Sequence, residues 1–231
     1  MIKSFYESKK EAKYRSFFSP VKYKLFLVIE KIYKKTVDNK DDRIPIIIGY
    51  LKQKKPVRVL EIGSGTLPIY KFIPKEQKKQ IEYHICEVNP EKVSFLNKNY
   101  PKIRTTCSDA LNLPYERDFF DLVLSKGVLH HIDDESLSLV RKKRNLFVKE
   151  MVRIIKNNGS ILLMDFSNNK SVSSFLWHFL HKICFNEGEH NFYSLKESLK
   201  LFRDKKLKKV FGREFDTFKG IYYYITANKK I

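Results

Sequence analysis

Apolar residues fall in short continuous runs separated by stretches of helical period, the spacing expected of buried strands alternating with amphipathic helices. The runs predict strands at 57–62, 81–87, 102–107, 119–125 and 159–165. The longest amphipathic stretch, Glu135 to Lys156, repeats Leu137, Val140, Phe147, Met151 and Ile154 on one face and predicts a helix. Asp133 or Asp134 can cap its start, and Gly159 stands where it should end. After a basic strand near Leu207 to Phe211, the apolar positions Ile221, Tyr223 and Ile225 alternate, which predicts a closing antiparallel hairpin. Strands and helices in this order imply an α/β fold: a parallel sheet with helices on both faces and a C-terminal antiparallel hairpin strand.

The turn after the first strand carries the clearest chemistry. Val57 to Pro68 reads V-R-V-L-E-I-G-S-G-T-L-P, an apolar strand running through Glu61 into a glycine-rich turn. Gly63 and Gly65 allow backbone conformations closed to other residues and a close ligand approach, and Pro68 suits the first turn of a helix. The dinucleotide fingerprint needs a glycine at its sixth position, where this chain has Pro68, so NAD and FAD are disfavoured. Glu61 at the strand's end suits a cation or amino group and would repel a pyrophosphate. A positively charged cofactor fits such a loop. As a residue alone, Glu61 could equally bond a local backbone amide.

With these residues the chain resembles the class I S-adenosylmethionine (SAM)-dependent methyltransferases, whose first motif is an acidic residue followed by alternating glycines. Ile81 to Glu87 (I-E-Y-H-I-C-E) is similar to that family's second strand, which ends in a carboxylate. Ser108-Asp109-Ala110 with Leu113-Pro114 resembles its adenine-contacting segment. Phe120 to Ser125 followed by Val128-Leu129-His130-His131-Ile132 resembles its fourth strand and the loop beyond, and Arg153 to Gly159, continuing to Asp165, its helix, turn and fifth strand. The resemblance covers residues 45 to 227. It implies a Rossmann-like fold with SAM as cofactor, held by Glu61, Gly63, Ser64, Gly65, Glu87, Asp109, Ala110, Lys126 and Gly127, with Glu87 on both ribose hydroxyls. Leu67 departs from the pattern by standing where the family usually has a third glycine. That departure keeps open a non-catalytic binding module on the same fold. Read alone, Glu87 could be a surface residue and Ser108-Asp109 an ordinary turn.

With 231 residues, 42% of them hydrophobic, one substantial core is expected, and residues 1–231 read as a single methyltransferase domain. No apolar run reaches the roughly 18 residues of a membrane span, and no secretory leader is evident, so a cytoplasmic protein is expected. Cys86, Cys107 and Cys184 are widely spaced and are expected to be buried reduced thiols. The net charge of +20 invites a nucleic-acid partner, but most of the 46 cations are lysines scattered along the chain, as on an ordinary solvated surface. Nucleic acid is therefore the weaker expectation, and an anionic membrane surface remains a possible peripheral contact.

Two segments lie outside the shared core and are expected to select the acceptor. Residues 1–40 interleave aromatics with lysines and read as an N-terminal helical lid. Residues 171–202, with V-S-S-F-L-W-H-F-L-H-K-I-C-F, read as an inserted hydrophobic cap. Both could also be ordinary packing helices. Apolar lids favour a small-molecule or lipid-like hydrophobic acceptor. Methyl transfer from a sulfonium needs alignment and exclusion of water more than acid–base chemistry, but a hydroxyl or carbon acceptor is helped by a base. His130, His131 and His190 are the candidates. Asp165 is a further pocket candidate or a turn former. His130 to Asp134 contains metal-ligand types, but adjacent residues rarely share one ion, and no metal is expected. The expected activity is methyl transfer to such a hydrophobic acceptor, with an RNA methyltransferase as the alternative enzyme.

Overall fold

Seven strands hydrogen-bond into one sheet in the order β3-β2-β1-β4-β5-β7-β6. The structure, a computed structural model, describes Gly49, Lys52 and residues 57–168, 192–203, 206–217 and 220–230. The strands are β1 Val57–Ile62, β2 Ile81–Glu87, β3 Arg104–Cys107, β4 Phe120–Lys126, β5 Ile155–Phe166, β6 Leu207–Thr217 and β7 Gly220–Lys229. β1 to β5 pair in parallel, and β7 lies antiparallel between β5 and β6. The α-helices are α1 Lys75–Lys78, α2 Pro90–Asn99, α3 Leu137–Ile154 and α4 Leu195–Phe202. This is the parallel sheet with a closing hairpin that the apolar pattern implied, and the Rossmann-like fold that the family resemblance implied.

The period-2 alternation of each central strand feeds two cores, one on each face of the sheet. Leu60, Ile62, Val123 and Leu163 pack with Phe147 and Met151 of α3. Their strand neighbours Val57, Val59, Leu122 and Leu162 pack on the opposite side with Leu96 of α2. Burying such side chains contributes about 1.5–3 kcal/mol each, and it fixes which ends of the strands carry the loops.

The helix α3 differs from the expectation at both ends. It begins at Leu137, and the cap is Ser136, whose Oγ accepts from the Leu139 N–H at 3.3 Å. Asp133 and Asp134 do not cap it: Asp133 accepts the Asp134 N–H, and Asp134 accepts the Glu135 N–H and pairs with Lys143. The helix ends at Ile154 because Ile155 already pairs with Phe120 in the sheet. The chain then loops outward through Asn158, at φ 61°, before Ser160 rejoins β4 opposite Leu122. Gly159 belongs to this excursion within β5 and not to the helix end. A Cβ there would lie 2.6 Å from Ile155 Cγ1 and 2.8 Å from the Lys156 carbonyl oxygen. Leu137 is 71% exposed and lies off the buried face, whereas Arg144 and Val148 lie on it.

Two further expectations change. Cys86 is buried, and burial together with Glu87 pushes its thiol up to about 12, but Cys107 is exposed on β3. Cys184 lies outside the described residues, as do the N-terminal lid 1–40 and most of the cap segment 171–202. The described end of that segment enters α4 through a capping box between Ser194 and Glu197. Among the described residues no helix is long and apolar enough to cross a membrane.

Phe147, fully buried on α3, sets a stability test. Phe147→Ala should lower unfolding free energy by about 3–5 kcal/mol in a denaturant titration. Leu139→Ala, at a 45% exposed position of the same helix, should stay within about 0.5 kcal/mol.

Candidate functional site

In the strand order, β1 leads outward to β2 and β3 while its neighbour β4 leads the other way to β5. The loops after β1 and β4 therefore flank the point where the sheet reverses direction, the place where open parallel sheets hold ligands. The sequence candidates gather here.

The loop after β1 is closed by three hydrogen bonds. The Gly63 N–H donates to the Cys86 carbonyl at 2.8 Å, the Gly65 N–H to Glu87 Oε2 at 3.0 Å, and the Ile69 N–H to Glu61 Oε2 at 3.0 Å. Glu61 is 2% exposed, and its Oε2 also accepts from the Tyr83 hydroxyl at 2.8 Å. Burying that carboxylate is tolerable because the loop's own amide and Tyr83 satisfy it. Pro68 flanks a single 3-10 turn, Ile69–Phe72, in place of a longer helix.

The two loop glycines serve different ends. Both are left-handed, Gly63 at φ 68° and Gly65 at φ 61°. A Cβ on Gly63 would lie 2.3 Å from Val128 Cγ2, so this glycine admits a side chain of the loop after β4. Among the described residues, a Cβ on Gly65 would have no neighbour within 4 Å. Gly65 thus faces open space beside Ser64, and this is where a ligand can approach the backbone.

Glu87 lies at the foot of this space. It is 5% exposed, which removes the surface reading, and its Oε1 accepts the Val88 and Asn89 N–H groups at 3.0 and 3.2 Å. Asn89 then caps α2 by accepting from the Lys92 N–H at 3.0 Å. Asp109 is exposed after β3 and forms an Asx turn, its Oδ1 accepting from the Leu111 N–H at 2.9 Å, while Ala110 is half-buried beside it. These residues fit a cationic nucleoside-like cofactor: an open glycine, a buried carboxylate at the end of β2 and an exposed acidic turn at the end of β3.

The loop after β4 carries the second group. Lys126 ends β4, and Gly127, at φ 65°, donates its N–H to the Met164 carbonyl at 2.9 Å. Leu129–His131 form a 3-10 turn. His130 is buried, and its Nδ1 lies 2.5 Å from Asp165 Oδ1 at the end of β5. Asp165 also accepts the His130 N–H on Oδ2 at 3.3 Å and the Phe166 N–H on Oδ1 at 2.7 Å. Burial alone would raise the Asp165 carboxyl, but the His130 charge and these donors outweigh it and hold the group below its usual range. His131 is exposed, with its ring centroid 4.0 Å from that of His130. His190 lies outside the described residues. Among the described residues no cluster of three His, Cys, Asp or Glu is arranged to hold a metal ion.

Aromatic rings border this corner, and the sequence reading did not gather them. Phe166 and Phe192 lie 5.4 and 5.3 Å from the His130 ring centroid, Tyr222 lies 4.1 Å from Phe166, and Phe215 stacks on Tyr222 at 5.9 Å. Phe166 and Tyr222 are register partners across β5 and β7, so the alternation of β7 was the available signal. Arg144 was also missed. Fully buried on α3, it donates from Nε to the Ile132 carbonyl at 3.0 Å and lies 4.1 Å over the Tyr193 ring. Its place four residues after Val140 and three before Phe147 would have marked it.

The comparisons with known proteins agree with this geometry. Residues 60–163 match the family model described as a methyltransferase domain. Ajmaline N-methyltransferase of Rauvolfia serpentina is 27% identical over 118 residues, 48% of this chain and 37% of that protein. A tRNA (carboxymethyluridine(34)-5-O)-methyltransferase of Arabidopsis thaliana is 33% identical over 69 residues, 30% of this chain and 16% of that protein. The ubiquinone/menaquinone biosynthesis C-methyltransferase of Vibrio vulnificus is 23% identical over 188 residues, 74% of this chain and 67% of that protein. The chain thus spans well under two thirds of the first two relatives. A solved SAM-dependent methyltransferase from Methanosarcina mazei shares the fold at a TM-score of 0.59 and 20% identity, covering 81% of this chain and 98% of that one. Fold, motifs and matches together define a class I methyltransferase domain. Over residues 60–163 the chain is similar to the SAM-dependent methyltransferase family, and it shares that family's fold.

Two outcomes test the geometry. Gly63→Ala should lower the melting temperature more than Gly65→Ala, because both force a side chain to positive φ but only the first collides with Val128. Val128→Ala combined with Gly63→Ala should recover the steric part of that loss. For Asp165, a folded carboxyl below its unfolded value contributes stability that is complete above the unfolded range and lost as pH falls through the folded value. Melting temperature should drop on acidification, and Asp165→Asn should flatten that acid limb.

Proposed function

We propose that this protein transfers a methyl group from SAM to a small or lipid-like hydrophobic acceptor. The observation that carries the reading is the pairing of two sites across one loop contact: the open glycine loop at Gly65, and the aromatic corner of Phe166 and Phe192 around His130, continued from Phe166 through Tyr222 to Phe215. Bound in the first, SAM supplies an electrophilic methyl group on a sulfonium sulfur. Glu87 would take the ribose hydroxyls, Asp109 and Ala110 the adenine, and Ser64, Gly65, Lys126 and Gly127 the amino-acid end. Glu61 supports this site from beneath by closing the loop on Ile69.

The aromatic corner supports an apolar acceptor because half-buried rings exclude water and present flat apolar area. Exclusion of water and alignment are the main demands of this transfer. The relative that acts in ubiquinone and menaquinone biosynthesis lends weight to a lipid-like acceptor. A second reading, RNA as acceptor, is favoured by the net charge of +20 and by the tRNA-modifying relative. A basic exterior also suits contact with an anionic membrane that holds the acceptor.

Incubation with methyl-labelled SAM and separate pools of quinols and phenols, lipid extracts and RNA tests the reading. Label should appear in solvent-extractable hydrophobic product. Label in RNA that vanishes steeply with salt would transfer the assignment to the second reading, and cofactor binding without product in any pool would leave a binding module. Glu87→Ala should weaken calorimetric SAM affinity by at least about 10-fold, the loss of a charge-assisted pair of hydrogen bonds. Unchanged affinity would contradict the cofactor site.

A further inference from the structure

We propose that Glu150 and Arg153, near the C-terminal end of α3, are a positioning pair that holds residues 109–112 in place against the cofactor, so that the site's selectivity for adenine depends on their ion pair. The inference rests on the reading above, in which Asp109 and Ala110 meet the adenine. It goes beyond that reading by naming what fixes them.

The turn is suspended between two anchors. At its start, the Ser108 N–H donates to the Glu87 carbonyl at 3.2 Å and Cys86 Sγ donates to the Ser108 carbonyl at 3.4 Å, which ties Ser108 to the end of β2. Inside the turn, Asp109 Oδ1 accepts the Leu111 N–H at 2.9 Å, the Asp109 carbonyl accepts the Asn112 N–H at 3.1 Å, and Ser108 Oγ donates to the Asn112 carbonyl at 3.2 Å. These bonds give the turn its shape. Its far end is placed by α3. The Leu113 N–H donates to Glu150 Oε2 at 3.0 Å, and Arg153 Nη2 donates to the Leu113 carbonyl at 2.8 Å. Both backbone groups of Leu113, a 3% exposed residue, are thus satisfied by side chains of another element. Arg153 Nη1 adds the Tyr115 carbonyl at 2.7 Å.

The pair is built for direction. Arg153 meets Glu150 through two bonds, Nε to Oε1 and Nη2 to Oε2, both 2.8 Å long, with the side chains 27% and 13% exposed. Burial alone would raise the Glu150 carboxyl, but the Arg153 guanidinium and the Leu113 N–H outweigh it and hold the group below its usual range. A partly buried ion pair adds little net stability over apolar side chains of the same size, whereas a forked guanidinium fixes the orientation of every acceptor it meets. The rest of the segment has its own supports. The Asp118 N–H donates to the Arg153 carbonyl at 3.1 Å, the Phe119 N–H to the Ile154 carbonyl at 2.8 Å, and the Tyr115 hydroxyl to Thr106 Oγ1 at 3.2 Å. A change in the Arg153 side chain therefore leaves residues 115–119 docked and releases Leu113. A turn anchored at one end alone has more conformations to give up when the cofactor binds, and its acidic side chain is no longer aimed in advance.

Two variants of the full chain test this, with Leu139→Ala as a control on the same helix. Arg153→Lys keeps a cation beside Glu150 and loses the fork. Glu150→Gln keeps an acceptor for the Leu113 N–H and loses the charge that orients Arg153, and as the milder change it carries the test if Arg153→Lys does not fold. Without any ligand, both variants should show faster hydrogen–deuterium exchange at 111–113 and unchanged exchange in β1. Calorimetry then compares S-adenosylhomocysteine with S-inosylhomocysteine, which places a carbonyl where adenine has its amino group. The wild type should prefer the adenine form by at least about 10-fold. The variants should lower that ratio by about 3- to 10-fold, the worth of one hydrogen bond, and the control should leave it unchanged. An unchanged ratio in the folded variants, or a ratio unchanged while exchange quickens along the whole chain, would overturn the proposal and leave the pair a structural one. A wild type that binds both ligands equally defeats the adenine reading instead, and exchange at 111–113 still decides whether the pair holds the turn.

Discussion

The close packing of Gly63 against Val128 is the contact on which the site depends. A Cβ at residue 63 would stand 2.3 Å from Val128 Cγ2, closer than two carbons can lie. Only a residue without a side chain lets the loop after β1 meet the loop after β4 there. Since those loops leave neighbouring strands at the sheet's reversal point, their contact sets the separation between the open face of Gly65 and the ring of His130. Transfer between two bound groups needs that separation held within a fraction of an ångström, and a backbone-to-side-chain contact provides it without a flexible linker.

Buried carboxylates do the rest of the positioning. Glu61, Glu87 and Asp165 lie at the ends of β1, β2 and β5 and each is at most 5% exposed; Glu61 and Glu87 accept backbone N–H groups of the loop after their own strand, and Asp165 accepts the His130 N–H of the loop after β4. An unpaired carboxylate at such depth would cost several kcal/mol, so these acids are stable only while their loops keep the observed shape. The same bonds that satisfy the charge thus order the loop. Glu87 couples two loops at once, because it also accepts the Gly65 N–H from the neighbouring turn.

Much of this was legible in the chain. Strand positions, the closing hairpin and the glycine turn follow from local apolar runs and from glycine chemistry, which act over a few residues. The start of α3 was misread because Asp133, Asp134 and Ser136 are all competent caps, and it is Ser136 whose side chain accepts a free amide of the first turn, that of Leu139. Its end was misread because Gly159 looks like a helix stop, while pairing of Ile155 with Phe120, distant in sequence, pulls the chain into the sheet earlier. The site divides in the same way. The residues of the glycine turn and Glu87 carry a linear signal. The bond between His130 and Asp165 and the ring contacts of Phe166 with Tyr222 come from strands brought together by folding, so spacing along the chain does not reveal them.

The central claim is that one cofactor cradle is built from the turn after β1 and the ends of β2, β3 and β4. Hydrogen–deuterium exchange of the full chain with and without S-adenosylhomocysteine tests it most directly. The account predicts slowed exchange at 63–69, 87–89, 109–111 and 126–131, with little change in β6 and the outer face of α3. Saturable binding that leaves those four segments unprotected, or protection confined elsewhere on the chain, would contradict it.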